Sequence, residues 1–170
     1  IAYGMDPNIN KTIVMWLREQ FSQFIKPLKG APNRFFIRRT DSIYRNCVNE
    51  DLVVEIAEKF GFITLKNEGY SFDQQIGLYA GAQAVMGVHG AGFTNMLFAP
   101  VGAKVIEMAT RDHLPDFYRT LADIRGQDHY FMPGEMTHAF KMMPRGFWNF
   151  EIDLDNLHQT LETALKDKTV

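Results

Sequence analysis

Apolar residues recur along this chain with two different periods, and the alternation between them outlines the fold. Between residues 8 and 25, Ile13, Trp16, Leu17, Phe21 and Phe24 fall at helical spacing, and Pro27 and Gly30 close the segment. Arg34–Arg38 is a short apolar run with polar flanks, which predicts a strand. Asn49–Phe60 returns to helical spacing, with Leu52, Val53, Ile56, Ala57 and Phe60 on one face and Gly61 as terminator. A second strand covers Phe62–Leu65. Ser71 caps a helix over Phe72–Gly81, with Gln74 at the capping-box position. Gln83–Val88 reads as a third strand, Gly92–Phe98 as a short helix and Lys104–Met108 as a fourth strand. A helix over Asp116–Ile124 precedes strands at His129–Met132 and Trp148–Ile152. Asp155 is the expected cap of a last helix carrying Leu157, Leu161 and Leu165. Residues 133–146 are the least regular stretch, readable as a lid, a docking edge or an ordinary loop.

Strands that alternate with helices predict an α/β fold, a parallel sheet with helices on both faces. The 170 residues fit one domain or a large piece of a bigger protein. A domain of this size buries roughly 70% of its unfolded surface, and a hydrophobic fraction of 46% argues against disorder. A formal net charge of −2 excludes a general polyanion binder, so nucleic acid is not an expected partner. Charge is unevenly placed, however. Lys26, Lys29, Arg34, Arg38, Arg39 and Arg45 face only Asp41 in the same stretch, which reads as an anion site or as a solvated face. Cys47 is the lone cysteine, which excludes an intrachain disulfide and a thiolate zinc cluster and fits a reducing compartment. No run of about 18 apolar residues is present to span a membrane. The first residue is Ile1, so the chain reads as a fragment or a trimmed form, with residues 1–30 as a connecting helix.

The sequence GVHGAGFTN, residues 87–95, sits between a predicted strand and a predicted helix. In doubly wound sheets ligands lie at the carboxyl ends of strands. Glycines there let a ligand approach the backbone, and the amides of the helix start favour an anion such as phosphate. Thr94 or His89 can add a donor, and Asn95 can fix the turn or reach the ligand. The spacing is not the dinucleotide fingerprint or a phosphate-binding Walker loop, so an ordinary tight turn remains an equal reading. Glu107 ends the next predicted strand, twenty residues after Gly87, where an acid can accept both ribose hydroxyls or simply face solvent. Arg39 and Arg45 follow the first strand, within reach of a diphosphate if the sheet is parallel.

The blocks FFIRRTDSIYRNCVNED, GF at 61–62, SFDQQ at 71–75 and GVHGAGFTNMLFAPVGAKVIEM together resemble glycosyltransferase family 61. That family includes bacterial capsular polysaccharide enzymes, plant xylosyltransferases and animal N-acetylglucosaminyltransferases. The resemblance runs over roughly residues 33–108 with order and spacing kept. It places Arg39 and Arg45 at the family's two arginines, Asn49 and Glu50 at its Asn-Glu pair, and Gln75 at its motif glutamine. His89, Gly90, Ala91, Gly92, Thr94 and Asn95 fall on the glycine-rich block, and Glu107 on the later acid. Arg38 replaces a usual serine and Phe93 a usual leucine.

The resemblance implies the Rossmann-like C-terminal, donor-binding domain of a two-domain (GT-B) glycosyltransferase, with the N-terminal domain as a missing partner. It implies inverting transfer of a sugar from a nucleotide sugar, with UDP the expected nucleotide, to a glycan or other hydroxyl acceptor. Arg39, Arg45, Asn49, Gly90, Ala91, Gly92, Thr94, Asn95 and Glu107 would bind the donor, and His89 is the candidate catalytic residue. The arginines and amides would carry the diphosphate charge without a metal or other cofactor. The five histidines show no metal-ligand spacing. A nucleotide-binding module without catalysis and a nucleotide-sugar epimerase are the alternatives. Polysaccharide assembly in a bacterial cytoplasm is the expected setting, or a Golgi or endoplasmic reticulum lumen in a eukaryote.

Overall fold

The computed structural model describes residues 9–39, 44–111, 116–138 and 148–166. Helix α1 (Lys11–Gln20) starts at Asn10, whose side chain accepts from the Thr12 amide. It is shorter than the 8–25 periodicity suggests: the chain leaves it at Phe21 and continues as a 3₁₀ turn over Ser22–Phe24. Strand β1 (Arg34–Ile37) leads to α2 (Glu50–Lys59), β2 (Ile63–Leu65) and α3 (Phe72–Ala80). The expected capping box at Ser71 and Gln74 is present. Strand β3 (Ala84–Val88) runs into Ala91–Phe98, a 3₁₀ helix rather than an α-helix. Strand β4 (Lys104–Thr110), α4 (Asp116–Arg125), β5 (Asp128–His138), β6 (Asn149–Glu151) and α5 (Leu154–Leu165) complete the order.

The six strands form one sheet in the order β2-β1-β3-β4-β5-β6. All pairs are parallel except β5 with β6, so the expectation of a parallel sheet holds for five strands and fails at the last. The register sets the two faces. Phe35, Val85 and Val105 align across β1, β3 and β4, and with Tyr79, Phe93, Met96, Tyr118 and Leu121 they form one core beneath α3, the 3₁₀ helix and α4. Phe36, Met86 and Ile106 align one residue on, face the other way, and pack with Val53, Ala57, Leu157 and Leu161 of α2 and α5. Three layers result, an α/β Rossmann-like arrangement.

The chain moves outward from β1 to β2, then returns past β1 to β3 and continues to β4 and β5. The crevice between β1 and β3 is therefore the topological switch point, where ligands of doubly wound sheets bind.

Two local expectations are corrected. The segment after Met132 is not irregular from Pro133: β5 continues to His138. A proline is tolerated there because the β6 ladder begins only at Glu135, so no β6 pairing at Pro133 is lost. Gly134 is required beside it, since an added Cβ would collide with the Phe150 ring. Residues 139–147 lie outside the described residues, and with them the remainder of the lid or docking-edge reading. The last helix is capped by Asp153, not Asp155: the Asp153 carboxylate accepts from the amides of Asp155 and Asn156, each at 3.0 Å.

The apolar layers set the stability of the sheet. Ile106 is fully buried in the α2/α5 core. Ile106→Ala is expected to lower the unfolding free energy by about 2–5 kcal/mol, read from urea denaturation midpoints.

Candidate functional site

The face under the 3₁₀ helix changes character at its carboxyl end. Ile37, Gly87, Glu107 and Phe131 are aligned there by the parallel register. Gly87 leaves the space that Phe93 fills: an added Cβ would stand 3.1 Å from the Phe93 ring and 2.8 Å from the Ile37 carbonyl oxygen. Its neighbour Glu107 is a carboxylate with 0% exposure, flanked in β4 by Val105, Ile106, Met108 and Ala109.

Such a charge is costly unless paired and hydrogen-bonded. Both oxygens of Glu107 are engaged: Oε1 by Nδ1 of His89 and Oε2 by Nε2 of His129 at 2.7 Å. The histidine side chains are 14% and 8% exposed, so the three groups run from the interior towards the rim. Burial alone would push the Glu107 carboxyl up. The hydrogen bonds from His129 and His89 outweigh it and hold the group below the usual glutamate range.

His89 directly follows β3, and its amide donates to the Met108 carbonyl, extending the β3–β4 ladder by one step. Its ring lies 5.1 Å from the ring of Tyr118, centre to centre. The Tyr118 hydroxyl donates to the Gly90 carbonyl at 2.6 Å, and the Phe93 amide donates to the same oxygen at 2.9 Å. The amides of Ala91 and Gly92 precede this first bond of the 3₁₀ helix, at the end where helix geometry leaves donors for an external partner. Tyr79 donates to the Gly92 carbonyl at 2.6 Å, and Asn95 donates to Gln75, which itself donates to the carbonyls of Asn67 and Tyr70. The glycine-rich turn is thus held from α3, α4 and the sheet at once.

Arg39 follows β1 across the switch point. Its guanidinium donates to the His89 carbonyl at 3.1 Å and lies against Gly90, where an added Cβ would stand 3.6 Å from it. Burial, and then the like charge of Arg45, hold Arg39 below its ordinary value. Arg45 has φ 59°, the only left-handed non-glycine residue among those described. The turn behind it is stitched to β6: the Asn46 amide donates to the Asn149 side chain, the Phe150 amide to the Asn46 carbonyl, and the Val48 amide to the Phe150 carbonyl.

The structure thus brings together Arg39, Arg45, His89, Gly90, Ala91, Gly92, Thr94 and Glu107 at one edge. Thr94 is exposed there, its hydroxyl 3.4 Å from that of Tyr118. Two expected ligand-binding residues are used otherwise. Asn49 donates to the Ile152 carbonyl at 2.8 Å and accepts from the Ile152 amide at 3.0 Å, so its amide group is committed to the β6–α5 junction. Asn95 fixes the turn through Gln75 rather than facing outward. Glu107 does not end its strand and does not face solvent. Among the described residues, no group of three or more His, Cys, Asp or Glu side chains is placed to hold a metal ion.

The sequence model of the glycosyltransferase 61 family matches residues 5–106, which takes in β1, β3, the glycine-rich turn and both arginines. The chain belongs to the glycosyltransferase 61 family. It is similar to protein O-linked-mannose beta-1,4-N-acetylglucosaminyltransferase 2 of Takifugu rubripes, 33% identical over 102 residues, 56% of this chain and 17% of that protein. EGF domain-specific O-linked N-acetylglucosamine transferase of Drosophila melanogaster is 32% identical over 118 residues, 62% of this chain and 22% of that protein. The chain therefore spans a minor part of the length of these relatives.

Sequence reasoning missed His129 and Tyr118. His129 lies beyond the matched segment, and only the register Val105↔His129 carries it to the face of Glu107. Tyr118 reads as one more apolar position of α4. A cleft of about 630 Å³ lies at the opposite edge, lined by Arg34, Gln83, Lys104, Gly126 and Asp128 at the amino ends of the strands. Lys104 and Asp128 pair with each other there, and doubly wound sheets do not bind ligands at that edge.

The Glu107 cluster has a pH signature. Because its folded value is depressed, its stabilisation is complete above the usual glutamate range and is lost as pH falls through the folded value. Urea midpoints measured from neutral pH downwards are expected to drop more steeply in acid for the intact chain than for Glu107→Gln, which has nothing to titrate there.

Proposed function

We propose that this chain is the donor-binding half of a GT-B glycosyltransferase and holds the diphosphate of a nucleotide sugar, UDP-linked, between the carboxyl ends of β1 and β3. The observation that carries this reading is the pairing of Arg39 with Arg45 beside the first amides of the 3₁₀ helix. Two guanidinium groups drawn together and partly buried repel each other. A diphosphate set between the arginines draws on the attraction of two like cationic groups at once, and their planar donor forks suit its oxygens. The left-handed backbone of Arg45, over-determined by the stitching to β6, is the kind of local strain that collects at ligand clamps.

In this reading the arginines and the amides of Ala91 and Gly92 stabilise the charge that develops on the departing diphosphate, so transfer proceeds without a divalent cation. The acceptor hydroxyl attacks from the opposite side of the anomeric carbon, with inversion. Family membership favours transfer over epimerisation. The relatives are much longer than the matched segment, which supports a domain that supplies one wall of a cleft. The acceptor wall and the rest of the catalytic apparatus then come from polypeptide outside this chain. By itself the chain binds donor and does not transfer. Asn49 and Asn95 shape the site without touching the donor. Glu107 is too deeply engaged to hold a ribose.

Calorimetric titration with UDP tests the reading. Binding is expected to survive EDTA and to weaken about tenfold to a hundredfold in Arg39→Ala and in Arg45→Ala, the loss of one hydrogen bond to a charged group in each. Affinity unchanged in both variants, or abolished by EDTA, would contradict it.

A further inference from the structure

The buried file His129–Glu107–His89 is more than a way of tolerating an acid in the core. We propose that Glu107 and His129 are positioning residues that fix His89 in the tautomer protonated on Nδ1, so that Nε2 is the proton-accepting atom of the ring at the donor site. The consequence for the donor rests on the reading of this edge as a nucleotide-sugar site. The tautomer itself does not.

An ionised carboxylate accepts hydrogen bonds and donates none. Any ring nitrogen in contact with it must therefore carry a proton. Glu107 touches Nδ1 of His89 through one oxygen and Nε2 of His129 through the other. Nδ1 of His89 is thus the protonated nitrogen, and in the neutral ring Nε2 is the acceptor. The strands fix this geometry. Glu107 projects from the middle of β4, His129 from β5 opposite Val105, and His89 from directly after β3, all on the face closed by Phe93 and Tyr118. His129 acts differently from Glu107. By occupying the second oxygen it keeps the buried carboxyl ionised, and so keeps it an acceptor towards His89. The depressed position of the Glu107 carboxyl agrees with this. The same pairing of a carboxylate with an imidazole Nδ1–H orients the base in hydrolytic triads.

Among the described residues, the charged and titratable groups around His89 include Glu107 from β4, His129 through Glu107 from β5, Tyr118 from α4, and Arg39 with Arg45 after β1. The neutral Nδ1–H form makes Nε2 a proton acceptor towards a donor hydroxyl or the acceptor hydroxyl. Protonation turns Nε2 into an additional N–H donor to the diphosphate.

Long-range proton–nitrogen NMR spectra of histidine-labelled chain, recorded above the histidine titration range, read the tautomer directly. The intact chain is expected to show His89 as one form, protonated on Nδ1. Glu107→Leu, which keeps the strand apolar, is expected to release it into a mixture of both tautomers. His129→Leu is expected to do the same in part, and His129→Gln, whose amide can still donate to Glu107, to restore the single form. Dispersed amide spectra establish that each variant is folded. A mixed or Nε2-protonated His89 in the intact chain, or an Nδ1-protonated His89 that persists in Glu107→Leu, overturns the proposal. UDP titration of the same samples keeps the two readings apart. A fixed tautomer without UDP binding refutes the donor-site reading and leaves the clamp standing. UDP binding with a mixed tautomer does the reverse.

Discussion

A carboxylate buried in the centre of a sheet is the constraint on which the rest of this site depends. Glu107 lies in β4 among Val105, Ile106, Met108 and Ala109, the hydrophobic middle of the strand. Leaving that charge without partners would cost several kcal/mol. The chain meets the demand with His89, which directly follows β3, and His129 near the start of β5, so a single side chain ties three neighbouring segments of the sheet. The tie also decides where the glycine-rich turn begins. His89 is held at the rim, and the turn leaves the sheet one residue later.

From there the geometry follows by packing. Gly87 opposite Glu107 admits Phe93 against the sheet, and Phe93 seats the 3₁₀ helix. Tyr118, Tyr79 and Asn95 fasten that helix from three sides, leaving its first amides at the switch point. Arg39 reaches across from β1 to the His89 carbonyl and completes a positively charged edge. Arg125 and Gln127, both buried, receive the other end of the helix by donating to the carbonyls of Leu97, Met96 and Ala99. A polar turn is thereby built as rigidly as a core element, which is what preorganised binding of an anion requires.

Much of the architecture was legible in the sequence because local signals agreed with the global fold. The Ser71–Gln74 capping box, the Gly61 terminator and the short apolar runs at Phe35–Ile37 and Ala84–Val88 all point the same way. The misreadings have physical causes. Pro133 and Gly134 look like loop residues, and only the late start of β6 and the contact with Phe150 explain their place in a strand. Asp153 and Asp155 are equally good caps on paper, and the backbone chose the first. In the site, the arginines and glycines were legible because their chemistry is outward-facing. Asn49 was not, since its amide serves the backbone of Ile152, a partner about a hundred residues away. His129 was not, because a lone histidine in a strand acquires meaning only through the register that sets it against Glu107.

The crevice between β1 and β3 is, on this reading, the place where the chain meets its donor. A crystal structure of the chain soaked with UDP locates the nucleotide directly. The diphosphate is expected between the Arg39 and Arg45 guanidinium groups, against the amides of Ala91 and Gly92, with the Glu107 carboxylate still buried between its two histidines. UDP bound instead in the cleft beside Lys104 and Asp128, or a diphosphate with neither arginine in contact, would refute the assignment of this crevice.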